Sequence, residues 1–295
     1  MNHSMRDYVS IFVIIFTAVL IATAGSQYGF TFNGYPILFI CMVTSFIIHW
    51  LLFIPSYIAK TEKFFDISGT VAYVVVLGVS AYFTNQASGG NLGLRSIITI
   101  ILILVWALRL GIFLFVRVLK AGEDRRFRDV KKNFSKFLVW WTLSALWVFL
   151  TTVNALTMII NNANYHDDIY CYFGMLLWII GFLIELTADE QKRKFKSKPE
   201  NKDRFINIGL WSISRHPNYF GEILLWVGMA VITLPTLKGW QYVTLISPIF
   251  IYFLLTRMSG VNLLEDYAEK KWGGSDDYED YKSKTPTLVP FFKSW

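Results

Sequence analysis

Charge is scarce in this chain. Of its 295 residues only 17% are Asp, Glu, Lys or Arg, against 54% hydrophobic, and the mean hydropathy is +0.44. A soluble domain carries about a quarter charged residues, so that class is excluded and a polytopic membrane protein remains. Cysteine is nearly absent: Cys41 and Cys171 are the two, both in apolar runs and without CxxC spacing. That excludes a disulfide framework and a thiolate metal centre, and leaves two small hydrophobes. The four histidines are far apart in the chain, which offers no metal cluster. Low-complexity segments and internal repeats are also missing.

What the chain has instead is apolar runs. Six are long enough to span a bilayer: Tyr8–Gly25, Tyr35–Ile58, Ile67–Phe83, Leu94–Phe115, Phe137–Ile160 and Ile169–Ala188. Two shorter ones follow, Pro217–Leu234 and Tyr242–Thr256, marginal against the roughly 17–25 residues a span needs. The expected fold is an all-α bundle of about eight transmembrane helices, seven if one marginal run fails.

The basic residues orient that bundle. With a cytoplasmic N-terminus, the inside segments hold Arg6, Lys60, Lys63, the stretch from Arg117 to Lys136, the stretch from Lys192 to Arg215, and the tail from Arg257 to Lys293. The outside segments hold Arg95 and Lys238, and Arg109 alone falls within a span. This positive-inside asymmetry predicts both termini in the cytoplasm. It accounts for the net charge of +7 without nucleic acid. The expected membrane is a bacterial inner membrane, or the endoplasmic reticulum in a eukaryote. Arg6, the apolar Val9–Leu20 and Ala22-Thr-Ala24 also fit a cleavable signal peptide, the alternative to a retained first span.

The chain divides by composition. Residues 1–118 are spans with short joints; residues 119–295 alternate spans with three polar segments, Leu119–Lys136, Asp189–His216 and Arg257–Trp295. Chemistry is expected in those segments, which are longer than plain connections need. Asp189–Lys196 should extend the sixth span, with Glu185, Asp189 and Arg193 on one helical face, until Pro199 breaks it. His216 precedes Pro217, a residue favoured at the first helical position, so the seventh span should begin there. Asn262–Lys271 reads as a short helix and Asp276 onward as a second one.

The densest chemistry is Ser214-Arg-His-Pro-Asn-Tyr-Phe-Gly-Glu222. A helix start offers free N–H groups and a positive dipole end to an anion, and Arg215 and His216 would sharpen it. The plainer reading of Arg-His there is contact with lipid phosphate. Tyr219, Glu222 and Trp226 share one face, and a carboxylate inside that helix needs a partner or a proton. Its plainer reading is an ion pair with Arg215, Arg257 or another cation from a neighbouring helix. Arg109 should point into the bundle, toward an acid or an anion. Asp66 reads as an N-cap of the third span, and His49 as a packed, hydrogen-bonded span residue.

Three stretches carry a family resemblance: Ala188-Asp-Glu-Gln-Lys192, Asn201-Lys-Asp-Arg-Phe-Ile-Asn-Ile-Gly-Leu-Trp211 and Ser214–Glu222. With Arg109–Arg117, Glu123-Asp-Arg-Arg126 and Tyr278-Glu-Asp-Tyr281, they resemble the DUF1295 membrane proteins, which are similar to the C-terminal domain of steroid 5α-reductases. The resemblance implies NADPH-dependent reduction of a conjugated double bond in a lipophilic substrate drawn from the bilayer. By residue type and place, Asp189, Asn218, Glu222 and Tyr281 match, with Arg193 and Arg204 looser. Ser214, Arg215, His216 and Asn207 complete the expected cofactor residues, and Tyr219, Glu222 and His216 are the expected catalytic ones. Arg-His-Pro before Asn218 is a departure. Followed by a Glu-rich tail helix and a Tyr-x-x-Tyr segment, it resembles isoprenylcysteine carboxyl methyltransferases and related phospholipid methyltransferases. Those use S-adenosylmethionine, and a helix start suits its carboxylate as well as a phosphate. A non-catalytic lipid-binding protein is the third reading, and it leaves the polar cluster unexplained.

Overall fold

The computed structural model describes residues 3–162, 168–258 and 260–291. Lys293, Phe292 and the side chain of Arg125 lie outside the described residues. The fold is helical: α1 His3–Gly25, α2 Ile37–Ile58, α3 Phe65–Ala87, α4 Leu94–Ala121, α5 Phe134–Asn161, α6 Ile169–Ser197, α7 Pro217–Thr233, α8 Ile246–Phe253, α9 Val261–Trp272 and α10 Asp276–Lys284. Eight stretches of the described chain are long and apolar enough to cross a membrane, including the two marginal ones. A two-residue ribbon, Thr31–Phe32 against Tyr35–Pro36, turns through Asn33 and Gly34, both at positive φ as a tight hairpin turn requires.

The chain forms two compact units. The first comprises Met1–Asp168 with Thr233–Ser247, the second Ile169–Ile232 with Pro248–Trp295. In the first unit α5 is the axis. Its apolar stretch is 89% buried, against 28% for α4, and it packs on α1, α2 and α3. Its hydroxyl side chains bond back to the preceding turn or across to neighbours. Thr151 Oγ1 donates to Trp147 O at 2.8 Å, and Tyr73 Oη lies 2.6 Å from Thr151 Oγ1. Ser45 Oγ donates to Ala145 O at 2.9 Å, and Trp50 Nε1 to Thr142 Oγ1 at 3.1 Å. Phe53, Phe65, Phe127, Phe137 and Trp141 form an aromatic cluster at one end. Beside it Glu62, buried, accepts from Asp124 N at 2.9 Å and pairs with Lys131 Nζ at 2.6 Å, which clasps two loops together.

The N-cap reading of Asp66 is corrected here. Helix α3 begins at Phe65, its cap is Phe64 without a side-chain bond, and Asp66 lies inside the first turn. There it lines a small cavity with Thr70, Tyr73, Trp106 and Trp147. The carboxylate thus favours the helix start through the dipole rather than through a cap bond. His49 is the packed, bonded residue expected: Nδ1 is 2.8 Å from Ser45 O and Nε2 is 3.1 Å from Ser144 Oγ. Two guanidinium nitrogens of Arg109, Nε and Nη2, are buried.

In the second unit, α6 and α7 are held close by glycines seven residues apart, Gly174 and Gly181 on one helix and Gly221 and Gly228 on the other. A Cβ on Gly181 would come within 2.5 Å of Leu225 N, and one on Gly221 within 2.6 Å of Glu185 N. Small residues let backbones approach this way where apolar packing alone gives little drive in lipid. The consequence for chemistry is register: Gly221 abuts Glu185, so the turn of α6 carrying Glu185 and Asp189 runs beside the turn of α7 carrying Asn218 and Glu222.

Candidate active site

The polar loop between α6 and α7 is pinned at both ends. Trp211 Nε1 donates to Ala188 O at 3.0 Å, and Gln191 Oε1 accepts from Leu210 N at 3.0 Å. Lys192 Nζ stands over the Trp211 ring, 4.5 Å from its centroid. Gly209, at φ +62°, sits so close to Gln191 that a side chain there would strike it. These contacts fold Asn201–Trp211 back onto the C-terminal end of α6 and deliver the chain to Pro217.

The tail then closes over that loop. Arg215 N donates to Pro286 O at 2.9 Å and Ser214 Oγ to Leu288 O at 2.7 Å. Ser214 Oγ also accepts from His216 N at 3.2 Å, which ties it to the start of α7. Tyr281 Oη donates to Trp211 O at 2.6 Å while its ring stacks on Phe205. Burial raises the Tyr281 phenol above its ordinary value, so it stays neutral and serves as a donor.

At the start of α7 stands a cluster centred on Glu265, from α9. Its Oε2 is 2.6 Å from Arg215 Nη1 and its Oε1 is 2.7 Å from His216 Nε2. Arg215 Nη2 donates to Thr287 Oγ1 at 2.6 Å. The His216 ring stacks on Tyr219, 5.7 Å between centroids and 9° between planes. His216 is only 5% exposed, and burial holds its pKa below the usual imidazole value, opposed by the bond and charge of Glu265 and assisted by Lys192 and Arg215. Two buried nitrogens of this cluster, His216 Nδ1 and Arg215 Nε, have no hydrogen-bond partner among the described residues. Buried polar atoms are bonded in the great majority of cases, and a bound group is one way such atoms are satisfied.

One turn further on, Asn218 Nδ2 donates to Asp189 Oδ1 at 3.2 Å. Asp189 and Glu222 are both buried. The structure therefore gathers Asp189, Ser214, Arg215, His216, Asn218, Tyr219 and Glu222 at neighbouring ends of α6 and α7. Arg193 faces outward and makes a two-pronged bond with Glu190, at 2.6 and 2.7 Å. Arg204 and Asn207 lie exposed on the loop, and Tyr281 braces that loop from behind through Trp211. Arg215 takes Glu265 as its carboxylate, which is where the ion-pair reading of Glu222 had looked for a partner.

Sequence reasoning missed Glu265, Thr287 and Trp211. The signal for Glu265 was available: it lies in the acidic tail helix that the methyltransferase pattern singles out. Thr287 has no motif, because it contributes one hydroxyl from an irregular stretch.

A family model described as "Protein of unknown function (DUF1295)" matches residues 52–285. The chain belongs to this family. Among curated proteins, 3-oxo-5-alpha-steroid 4-dehydrogenase 1 of Bos taurus is 28% identical over 119 residues, 40% of each chain. A steroid 5-alpha-reductase of Gossypium hirsutum is 29% identical over 119 residues, 40% of this chain and 41% of its own. A probable O-methyltransferase of Ustilaginoidea virens is 28% identical over 102 residues, 35% of this chain and 34% of its own. This DUF1295 chain thus spans about two-fifths of the length of the steroid reductases it matches. No solved structure matches it significantly.

Proposed function

We propose that this protein is an integral membrane reductase that uses NADPH to reduce a conjugated C=C bond of a lipophilic substrate of steroid, isoprenoid or fatty-acyl type. One observation carries the reading: Asp189 and Asn218 meet at 3.2 Å beside a helix start whose Arg215 and His216 each keep a buried nitrogen without a hydrogen-bond partner among the described residues. The residues fit a nucleotide. Arg215 offers a cation at the start of α7 for a phosphate, and Asp189 and Asn218 offer an acceptor and an amide for ribose or carboxamide. Arg193 is held by an exposed ion pair of the kind that contributes little, so it can exchange Glu190 for a phosphate. The reductases among the relatives support the same reading.

NADPH supplies a hydride when bound. The chain's own residues do the rest. Arg215 and the α7 start hold charge, and Asp189 with Asn218 orients the cofactor. The buried Glu222 and the neighbouring Tyr219 are assigned to handling the proton that completes the reduction. Residues 1–118 are assigned to substrate selection and residues 119–295 to the cofactor. A cytoplasmic side for the cofactor residues and both termini is supported by the asymmetry of the basic segments.

A second reading has its own support. The Arg215–Glu265–His216 cluster joins the Arg-His-Pro stretch to the acidic tail helix, and a methyltransferase stands among the relatives. S-adenosylmethionine would then occupy the same helix start. Calorimetry of detergent-purified protein with NADPH, NADH and S-adenosylmethionine decides between them. NADPH should bind at micromolar Kd, about −8 kcal/mol, and more tightly than NADH. Binding of S-adenosylmethionine without either nucleotide hands the site to a methyltransferase. Cysteine labelling from outside should reach a replacement at Asn91 and miss one at Ser197; labelling at Ser197 overturns the cytoplasmic placement.

A further inference from the structure

His216 is held by one nitrogen. Nε2 lies 2.7 Å from a carboxylate oxygen of Glu265, and Nδ1 is buried with no partner among the described residues. A carboxylate only accepts, so Nε2 must carry the proton of that bond. The ring is 5% exposed and faces two cations, Lys192 from α6 and Arg215 beside it in the chain, against the single carboxylate from α9. Burial and these cations favour the neutral ring. A neutral imidazole protonated at Nε2 has a bare lone pair at Nδ1. Phosphate and carboxylate oxygens, ionised, have no hydrogen to offer it.

We propose that His216 Nδ1 accepts a hydrogen bond from a ribose hydroxyl of the bound cofactor, and that of the two neighbours it is Arg215, not His216, that meets the cofactor's anionic group. The proposal rests on the reading of this cluster as an adenosyl-cofactor site and sharpens it. The motif's cation and its imidazole do opposite work, one seeking an anion and the other a donor. Stacking on Tyr219 and the bond to Glu265 fix the ring plane, so Nδ1 has one direction in which to accept. Glu265 acts through His216 and is a positioning residue.

Two measurements test this. The first needs no ligand: nitrogen NMR of protein labelled in histidine, with the His216 resonances identified by H216N. At pH near 7, Nδ1 should be the unprotonated nitrogen and Nε2 the protonated one. The reverse tautomer, or a doubly protonated ring, overturns the proposal. The second is the Kd of NADP⁺ and of S-adenosylhomocysteine between about pH 8 and pH 5.5, for wild type and H216N. Acceptance from a hydroxyl requires a neutral ring, so wild-type affinity should fall on acidification relative to H216N, by up to about tenfold per pH unit. An affinity that rises, as a phosphate meeting a protonated ring would give, overturns it, and so does a ratio that stays flat. If only S-adenosylhomocysteine binds and shows the fall, the nicotinamide reading fails and the His216 inference stands. If neither ligand binds, both fall. Should H216N not fold, added ligand must shift the wild-type Nδ1 resonance alone and lower the ring's titration midpoint; no shift overturns the proposal.

Discussion

His49 in the first unit and His216 in the second are both buried, and their ring nitrogens keep different company. His49 gives one nitrogen to a backbone carbonyl of its own helix and the other to Ser144 on α5. Its bonds close within the fold. His216 gives one nitrogen to a carboxylate and keeps the other unpartnered among the described residues. A buried polar group left unsatisfied costs about 1–3 kcal/mol, so the second arrangement is tolerated where something else supplies the missing partner. The first unit buries polarity to fix helix register, and the second buries it beside a loop and tail that wrap the helix start. Exchanging side chains at these sites should therefore give two kinds of failure, loss of fold in the first unit and loss of binding or turnover in the second.

The largest effect is expected at Glu222, buried on the same face of α7 as Tyr219. Glu222→Gln keeps the shape and removes the charge and the proton. Turnover should drop by roughly 10²-fold, the scale of lost acid–base assistance, with an unchanged melting midpoint. A variant that melts early yet turns over normally while folded removes Glu222 from the chemistry and makes it a first-unit kind of residue.

Next comes the contrast between two arginines. Arg215→Ala loses charge-assisted bonds of about 1.5–3 kcal/mol each, so NADPH affinity should weaken by roughly 10- to 150-fold. Arg193→Ala removes an exposed pair with Glu190 and should change affinity by less than about fivefold. Calorimetry reads both. Equal losses would mean that the outward-facing Arg193 swings onto the cofactor, and the site is then wider than the α7 start.

For the first unit the expected loss is in stability. His49→Ala takes the imidazole partner away from Ser144 Oγ in the interior, at about 1–3 kcal/mol for the buried hydroxyl, while Ser45 O keeps its helix bond. The melting midpoint should fall while nucleotide affinity of the folded protein holds. Loss of affinity without loss of stability would break the division of labour between the two histidines.

How much of this was legible beforehand follows from length scale. The spans, the start of α7 at Pro217 and the extension of α6 to Ser197 all rest on local pattern, and local pattern reads directly. His49 was legible for a similar reason, since a lone histidine in an apolar run must find nearby bonds. Glu265 was not. Its partners are 49 and 50 residues away, and an acidic residue in a polar helix looks solvated until the tail folds over the loop. Tyr281 shows the reverse error of emphasis: the motif marks it, but its hydroxyl is bonded to Trp211 O. Asp66 misled by two positions, because the cap is Phe64 and α3 begins at Phe65.

The smallest expected effect is a pH dependence of stability at His216. Burial depresses its folded pKa, while the unfolded chain titrates near about 6.5. As pH falls through that unfolded value, the unfolded state takes up the proton first, and stability falls wherever the unfolded state binds more protons. The contribution is thus complete above about pH 6.5 and is lost as pH drops through the folded value. Glu265 works against the depression, since its bond and charge favour the protonated ring. Removing it by Glu265→Gln should lower the folded value further, so the acid loss should deepen. The check is the melting midpoint of ligand-free protein from about pH 8 to pH 5, for wild type, H216N and E265Q. The advantage of wild type over H216N should shrink on acidification, and E265Q should shed stability faster than wild type. An advantage that grows instead means that the ring gains its proton in the fold as a charged partner of Glu265. His216 Nδ1 would then carry a proton and call for an acceptor, seeking an anion together with Arg215 instead of a hydroxyl.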